Sequence, residues 1–168
     1  MFFSSQTVNA LVRDHDELRE DIRNLKDTEL SMRERRNSFA RLIPNLVSHT
    51  KREESAVYSY MKSADAEDLK PMALEGEEEH RLVDQLVKEM KSEKISPEDW
   101  SAKGKVLAEL IEHHVDEEET EVFPKLKKQL DDSTDADLCE KYENPMGNRN
   151  ANGRKTRSSV PRTTALHS

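Results

Sequence analysis

The chain has 168 residues, 33% hydrophobic and 37% charged, with four glycines and a formal net charge of −8. That length allows one buried core, and so polar a composition argues against an all-β fold and for long amphipathic helices. Residues 144–168 hold Arg149, Arg154, Lys155, Arg157, Arg162 and no acid, so they carry +5 and residues 1–143 carry −13; an acidic body repels phosphate, and no nucleic-acid partner is expected.

The opening MFFSSQTVNALVRDHDELRE has neither a basic n-region nor a long apolar run, so no signal peptide is expected. A first helix is predicted over about 5–27, with Leu11, Leu18, Ile22 and Leu25 on one face. A second starts at Ser31 to Glu34, spaced as a capping box, and reaches about Met61, with Pro44 predicting a kink or break inside it. The third covers roughly 67–91 and has Pro71 near its start. The fourth opens where Ser96 caps and Pro97 takes the first helical position, and runs to about Leu130. A short helix near 133–143 follows. Residues 1–143 are then one domain and 144–168 a basic, disordered tail. No segment approaches the ~18 apolar residues of a membrane span. The single cysteine, Cys139, permits no internal disulfide or thiolate cluster and suits a reducing compartment, so the expected location is cytoplasmic.

An internal repeat ties these helices together. Shifting the sequence by 65 residues lays His15 on His80, Leu18 on Val83, Ile22 on Val87, Leu46 on Ile111, His49 on His114 and Glu53 on Glu118. His15 to His49 and His80 to His114 are both separations of 34 residues. Two helix hairpins of one design, packed antiparallel, predict an all-α, up-down four-helix bundle. The repeat also chooses between adjacent histidines: His114 shares the stripe of Leu107, Ile111 and Glu118, whereas His113 lies about 100° away and is expected at the surface.

A histidine and a glutamate four apart stack one turn above the other. Burying a carboxylate in an apolar core costs several kcal/mol in practice unless something compensates it. Here His15, His49, Glu53, His80, His114 and Glu118 all fall on apolar stripes at matching heights. A single core histidine is ordinarily a hydrogen-bonded core histidine, and a glutamate run is ordinarily a solvated face. The coincidence of all six under one shift instead points to a pair of metal ions, which take imidazole nitrogen and carboxylate oxygen as ligands. The His-x-x-x-Glu spacing differs from the Glu-x-x-His of ferritin-type bundles.

The segments DHDELRE, HTKREESAVY, EEHRLVDQL and EHHVDEEETEVFP, in that order and spacing, resemble the hemerythrin-like, or HHE cation-binding, domain family over about residues 7–130. The resemblance implies a non-heme di-iron centre, oxo- or hydroxo-bridged, although the donor set also accepts manganese or zinc. His15, His49, His80 and His114 would be terminal nitrogen ligands, and Glu53 and Glu118 would bridge the metals. Oxygen-carrying hemerythrins have a further histidine one turn after the third-helix histidine; this chain has Asp84 there. Each iron would keep one open position unless Asp84 or Glu77 fills it. Asp14, Asp16, Glu54 and Glu119 are candidates to orient imidazoles, though most such acids are surface charges, and Tyr58 and Trp100 are read as packing residues.

The resemblance implies a centre that meets dioxygen, peroxide or nitric oxide, in oxygen handling or the response to oxidative or nitrosative stress. A binding-only module that senses or stores iron or oxygen without turnover is the competing reading, so enzyme status stays open. A phosphotransfer bundle would need one exposed histidine rather than four matched ones on apolar stripes.

Overall fold

The computed structural model describes residues 4–145, and every secondary-structure element among them is helical. Helix α1 spans Gln6–Lys26 and is capped by Ser5, whose hydroxyl accepts from the Val8 amide at 3.1 Å. Helix α2, Met32–Glu53, starts on the predicted Ser31–Glu34 capping box. Of the kink or break expected at Pro44, no break occurs: α2 runs continuously through it, with buried Leu42, Ile43 and Leu46 on both sides holding the helix while proline gives up a backbone hydrogen bond. The interruption comes later. Residues Glu54–Tyr58 form a π-helical turn before the rod resumes as α3, Ser59–Ser63.

Helix α4, Leu69–Met90, accommodates Pro71 in its first turn, where amides have no partner within the helix. Helix α5, Pro97–Glu117, is capped as predicted by Ser96, which accepts from the Asp99 amide at 3.0 Å. A second π-helical turn, Glu118–Val122, precedes α6, Phe123–Gln129. Helix α7, Asp132–Glu143, closes the described chain. Beyond Pro145, the basic tail predicted from the sequence lies outside the described residues.

Short connections make neighbouring rods antiparallel. Helix α1 packs against α2 and α5, α4 against α5, and α3 against α4, which closes a four-rod bundle. Its interior holds two apolar clusters. One contains Leu11, Val57, Met61, Leu69, Phe123 and Leu126; the other contains Leu18, Ile22, Leu42, Leu46, Val87, Trp100 and Ile111. In each rod the predicted histidine falls between residues of the two clusters, so a polar layer separates two dry cores.

Helix α7 is pinned across the start of α1 by buried Asp135. Its carboxylate accepts from the Ser5 hydroxyl at 2.6 Å and from the Gln6 and Thr7 amides at 2.6 and 3.2 Å, satisfying amides that a helix start leaves free. Tyr142, seven residues and two turns on, shares the inner face with Asp135. The dock therefore carries Tyr142 into the polar layer.

Candidate metal centre

Inside that layer the six predicted residues meet: His15, His49, Glu53, His80, His114 and Glu118 are each at most 6% exposed. His15 and His49, from one hairpin, lie edge to face at 4.9 Å between ring centres; His80 and His114, from the other, do so at 4.8 Å. The two carboxylates sit between these pairs. A Glu53 oxygen lies 3.5 Å from Nε2 of both His49 and His80, and a Glu118 oxygen lies 3.3 Å from Nε2 of His15 and 3.5 Å from that of His114. Each glutamate thus contacts both imidazole pairs.

The outward nitrogens are all engaged. His15 Nδ1 faces Glu119 at 3.0 Å, His80 Nδ1 faces Glu54 at 2.9 Å and His114 Nδ1 faces Glu79 at 2.6 Å. An ionised carboxylate only accepts, so Nδ1 must donate. His49 Nδ1 lies 2.8 Å from the Tyr142 hydroxyl, which gives its own proton to Asp14 at 2.6 Å and so accepts from the ring. With Nδ1 carrying the proton, a neutral imidazole turns an Nε2 lone pair inward. This is the arrangement in which an outer carboxylate fixes the tautomer of a metal-binding histidine. The repeat governs this ring of partners too. Glu54 shifts by 65 onto Glu119, and Asp14 onto Glu79.

The buried side-chain polar atoms left without a partner among the described residues are His15 Nε2, His49 Nε2, both Glu53 oxygens and Glu118 Oε2. All belong to the predicted set, and all are of the types a borderline or hard cation takes. Native proteins rarely strand such groups, each costing about 1–3 kcal/mol. The donor set therefore fits a metal centre.

Burial and the neighbouring charge of Glu118 push the Glu53 carboxyl well above the usual carboxylate range. Burial also acts to raise Glu118, but His114, His15 and His49 outweigh it and leave Glu118 low and charged. Burial lowers His49 and His80, with the neighbouring His15 and His114 adding to it; His114 instead rises, because Glu118 and Glu79 overcome its desolvation. His114 is the more readily protonated of the pair, which makes it the donor across their 3.1 Å Nε2 to Nε2 approach. In the metal-free protein Glu53 is therefore the more readily protonated of the two carboxyls and Glu118 the more readily ionised.

Other sequence expectations fall elsewhere. Asp84 is exposed and Glu77 is ion-paired with Lys62, so neither enters the cluster. The His113 side chain is 70% exposed, as its register required. Asp16 is exposed, whereas Glu54 and Glu119 face imidazoles directly and Asp14 reaches His49 through Tyr142. Sequence reasoning missed Glu79, hidden in the run EGEEEH although the shift from Asp14 points to it. It also missed Tyr142, which lies beyond the repeat and carries no signal of its own. Tyr58 does more than pack: its hydroxyl donates to Glu118 at 2.7 Å and its ring stacks on His80 at 5.5 Å. Phe123, its counterpart in the repeat, stacks on His15 at 5.6 Å without a hydroxyl to give. Gly76 makes room for Tyr58, since a Cβ there would stand 2.3 Å from the hydroxyl oxygen.

Replacing Tyr142 by phenylalanine should cost about 1–2 kcal/mol, because His49 Nδ1 and Asp14 lose a shared partner in a buried place. Thermal unfolding of Y142F against the parent chain measures this, and an unchanged midpoint would show that Asp14 closes onto His49 unaided.

A helical bundle that brings buried imidazoles and carboxylates together around unpartnered donor atoms defines a candidate metal-binding protein. The chain belongs to the hemerythrin HHE cation-binding domain family, whose profile matches residues 6–126. It is 28% identical over 138 residues to an uncharacterised hemerythrin-like protein of Schizosaccharomyces pombe, covering 80% of this chain and 66% of that protein's length. No solved structure matches it. No helix among the described residues is long and apolar enough to cross a membrane.

Proposed function

We propose that the chain is a non-heme di-iron protein whose centre meets dioxygen, peroxide or nitric oxide, serving oxygen handling or the response to oxidative or nitrosative stress. The observation that carries this reading is the set of stranded buried atoms on His15, His49, Glu53 and Glu118. His15 and His49 would hold one iron and His80 and His114 the other, with Glu53 and Glu118 spanning the two. The iron pair would supply electrons to, or reversibly bind, a small oxidant or diatomic molecule. The protein's own part is separate. Outer carboxylates fix the imidazole tautomers, Tyr58 keeps its proton on a buried phenol beside Glu118, and the apolar cores above and below keep water from the layer.

The test is metal content per chain and the visible spectrum of protein purified from iron-supplied cells. About two irons and a near-ultraviolet band of a bridged ferric pair are expected. Protein that folds without iron, stays colourless and refuses added ferrous ion would remove the reading. Titration with peroxide and with oxygen then separates turnover from reversible binding: a reversible spectral change without peroxide consumption would favour the sensing or storage module.

A further inference from the structure

The two halves of the repeat differ at the surface in a way the buried cluster does not require. Between α4 and α5 a narrow cleft of about 10 Å³, room for about one water, reaches inward, with Glu75, Glu79 and Glu117 among its lining and Tyr58, His114 and Glu118 below them. Burial deepens in steps: Glu75 and His113 are exposed, Glu79 and Glu117 half-buried, and Glu118 only 2% exposed. Donor atoms of Glu79, His113 and Glu117 lie within 4.8 Å of one another. Glu118, lining the same cleft, holds its Oε2 buried and unpartnered.

Resting on the metal-centre reading above, we propose that this cleft is the port by which a divalent cation enters, with Glu79, His113 and Glu117 as its transient first binding site. A hydrated dication must shed its water in stages. Carboxylate and imidazole at the rim replace part of that shell before Glu118 and His114 replace more of it. The acidic rim also concentrates cations at the mouth.

The opposite mouth shows why the route is one-sided. Shifting back by 65 residues puts Ala10 at the place of Glu75, Leu11 at Gly76, Asp14 at Glu79 and Arg52 at Glu117. There the Arg52 guanidinium is ion-paired with Asp14, Tyr142 covers Asp14 and His49, and Leu11 is fully buried. A fixed cation and a plug of side chains stand where the other half has acids and a glycine without a side chain.

The experiment follows Co²⁺ uptake by the metal-free full-length chain in stopped flow, read by visible cobalt absorption, with final cobalt content measured separately. The double variant E75Q/E117Q should load about 10-fold more slowly at low salt, with a weaker salt dependence, yet reach the parent's cobalt content. The charge-matched control E17Q/E20Q, exposed on α1, should load at the parent rate. Unchanged loading by E75Q/E117Q overturns the port. So does equal slowing of the control, which would show a general field, or a lower final content, which would place the residues in the centre itself. A parent chain that takes up no cobalt sinks the metal-centre reading, and the port with it, a result distinct from all of these.

Discussion

Replacing Glu53 by leucine is expected to stabilise the metal-free protein by about 1–3 kcal/mol, raising its unfolding midpoint by several degrees, while abolishing metal uptake. Glu53 is fully buried and neither of its oxygens has a partner. Without metal it is a buried polar group with no partner, and a leucine of similar bulk removes the cost of burying it. With metal the balance reverses, because the variant lacks a ligand shared by both imidazole pairs. Opposite signs from one substitution mark a residue kept for chemistry rather than for folding. Melting curves with chelator, together with metal analysis, test both halves. An E53L protein that unfolds earlier without metal would show that the carboxyl is satisfied in a way the distances do not suggest. Asp84→Ala, on an exposed side chain, should change neither quantity.

The second large effect is a pH dependence that changes sign with metal. Glu53 has a raised pKa in the folded state, so its contribution is complete below about 4.5 and is lost as pH rises toward its folded value. His114 is also raised, so its contribution is lost as pH rises above about 6.5. His49 and His80 are lowered; their contribution is present above about 6.5 and lost only as pH falls below it. Above pH 6.5 the first two act together and the last two are constant. The chelated protein should therefore lose stability as pH rises from 6.5 to 8, by about 1 kcal/mol per pH unit for each proton released. Metal binding requires those protons to leave, so the loaded protein should hold or gain stability over the same range. Paired melting curves across that range decide it, and parallel slopes with and without metal would contradict the raised Glu53 and His114.

Much of this was legible because duplication writes the same constraint twice. The choice of His114 over His113 needed only helical phase and a partner at His49, and burial agrees. The capping signals at Ser31 and Ser96 were equally local and equally readable. What escaped was of other kinds. Pro44 signalled a kink or a break, and the packing of Leu42, Ile43 and Leu46 keeps the helix continuous there, a tertiary effect absent from local propensity. Asp14, Glu54 and Glu119 were visible as candidates, but a carboxylate one residue from a ligand reads the same whether it turns in or out. Tyr142 reaches His49 only because Asp135 docks α7 on the start of α1, a contact across 128 to 130 residues of sequence. No periodicity reports it.

The two π-helical turns begin directly at or after the buried glutamates. In an unbroken α-helix Tyr58 would lie about 140° round from Glu53, and Phe123 would stand in the same relation to Glu118. The wider turn closes over five residues and brings each ring back above its carboxylate's face. Each of these two rods thus contains one residue more than a regular helix needs, and the wider turn absorbs it. Deleting a single residue from either turn would leave a regular helix with later core positions near their present phase, whereas adding one would rotate them by about 100°. These two five-residue stretches should therefore tolerate substitution at exposed sites such as Ser55 or Thr120, and should accept the loss of one residue more readily than the gain of one. In related chains, insertions should gather in the connections between rods and avoid these stretches, whereas loss of one residue there should leave the later core pattern on the same face.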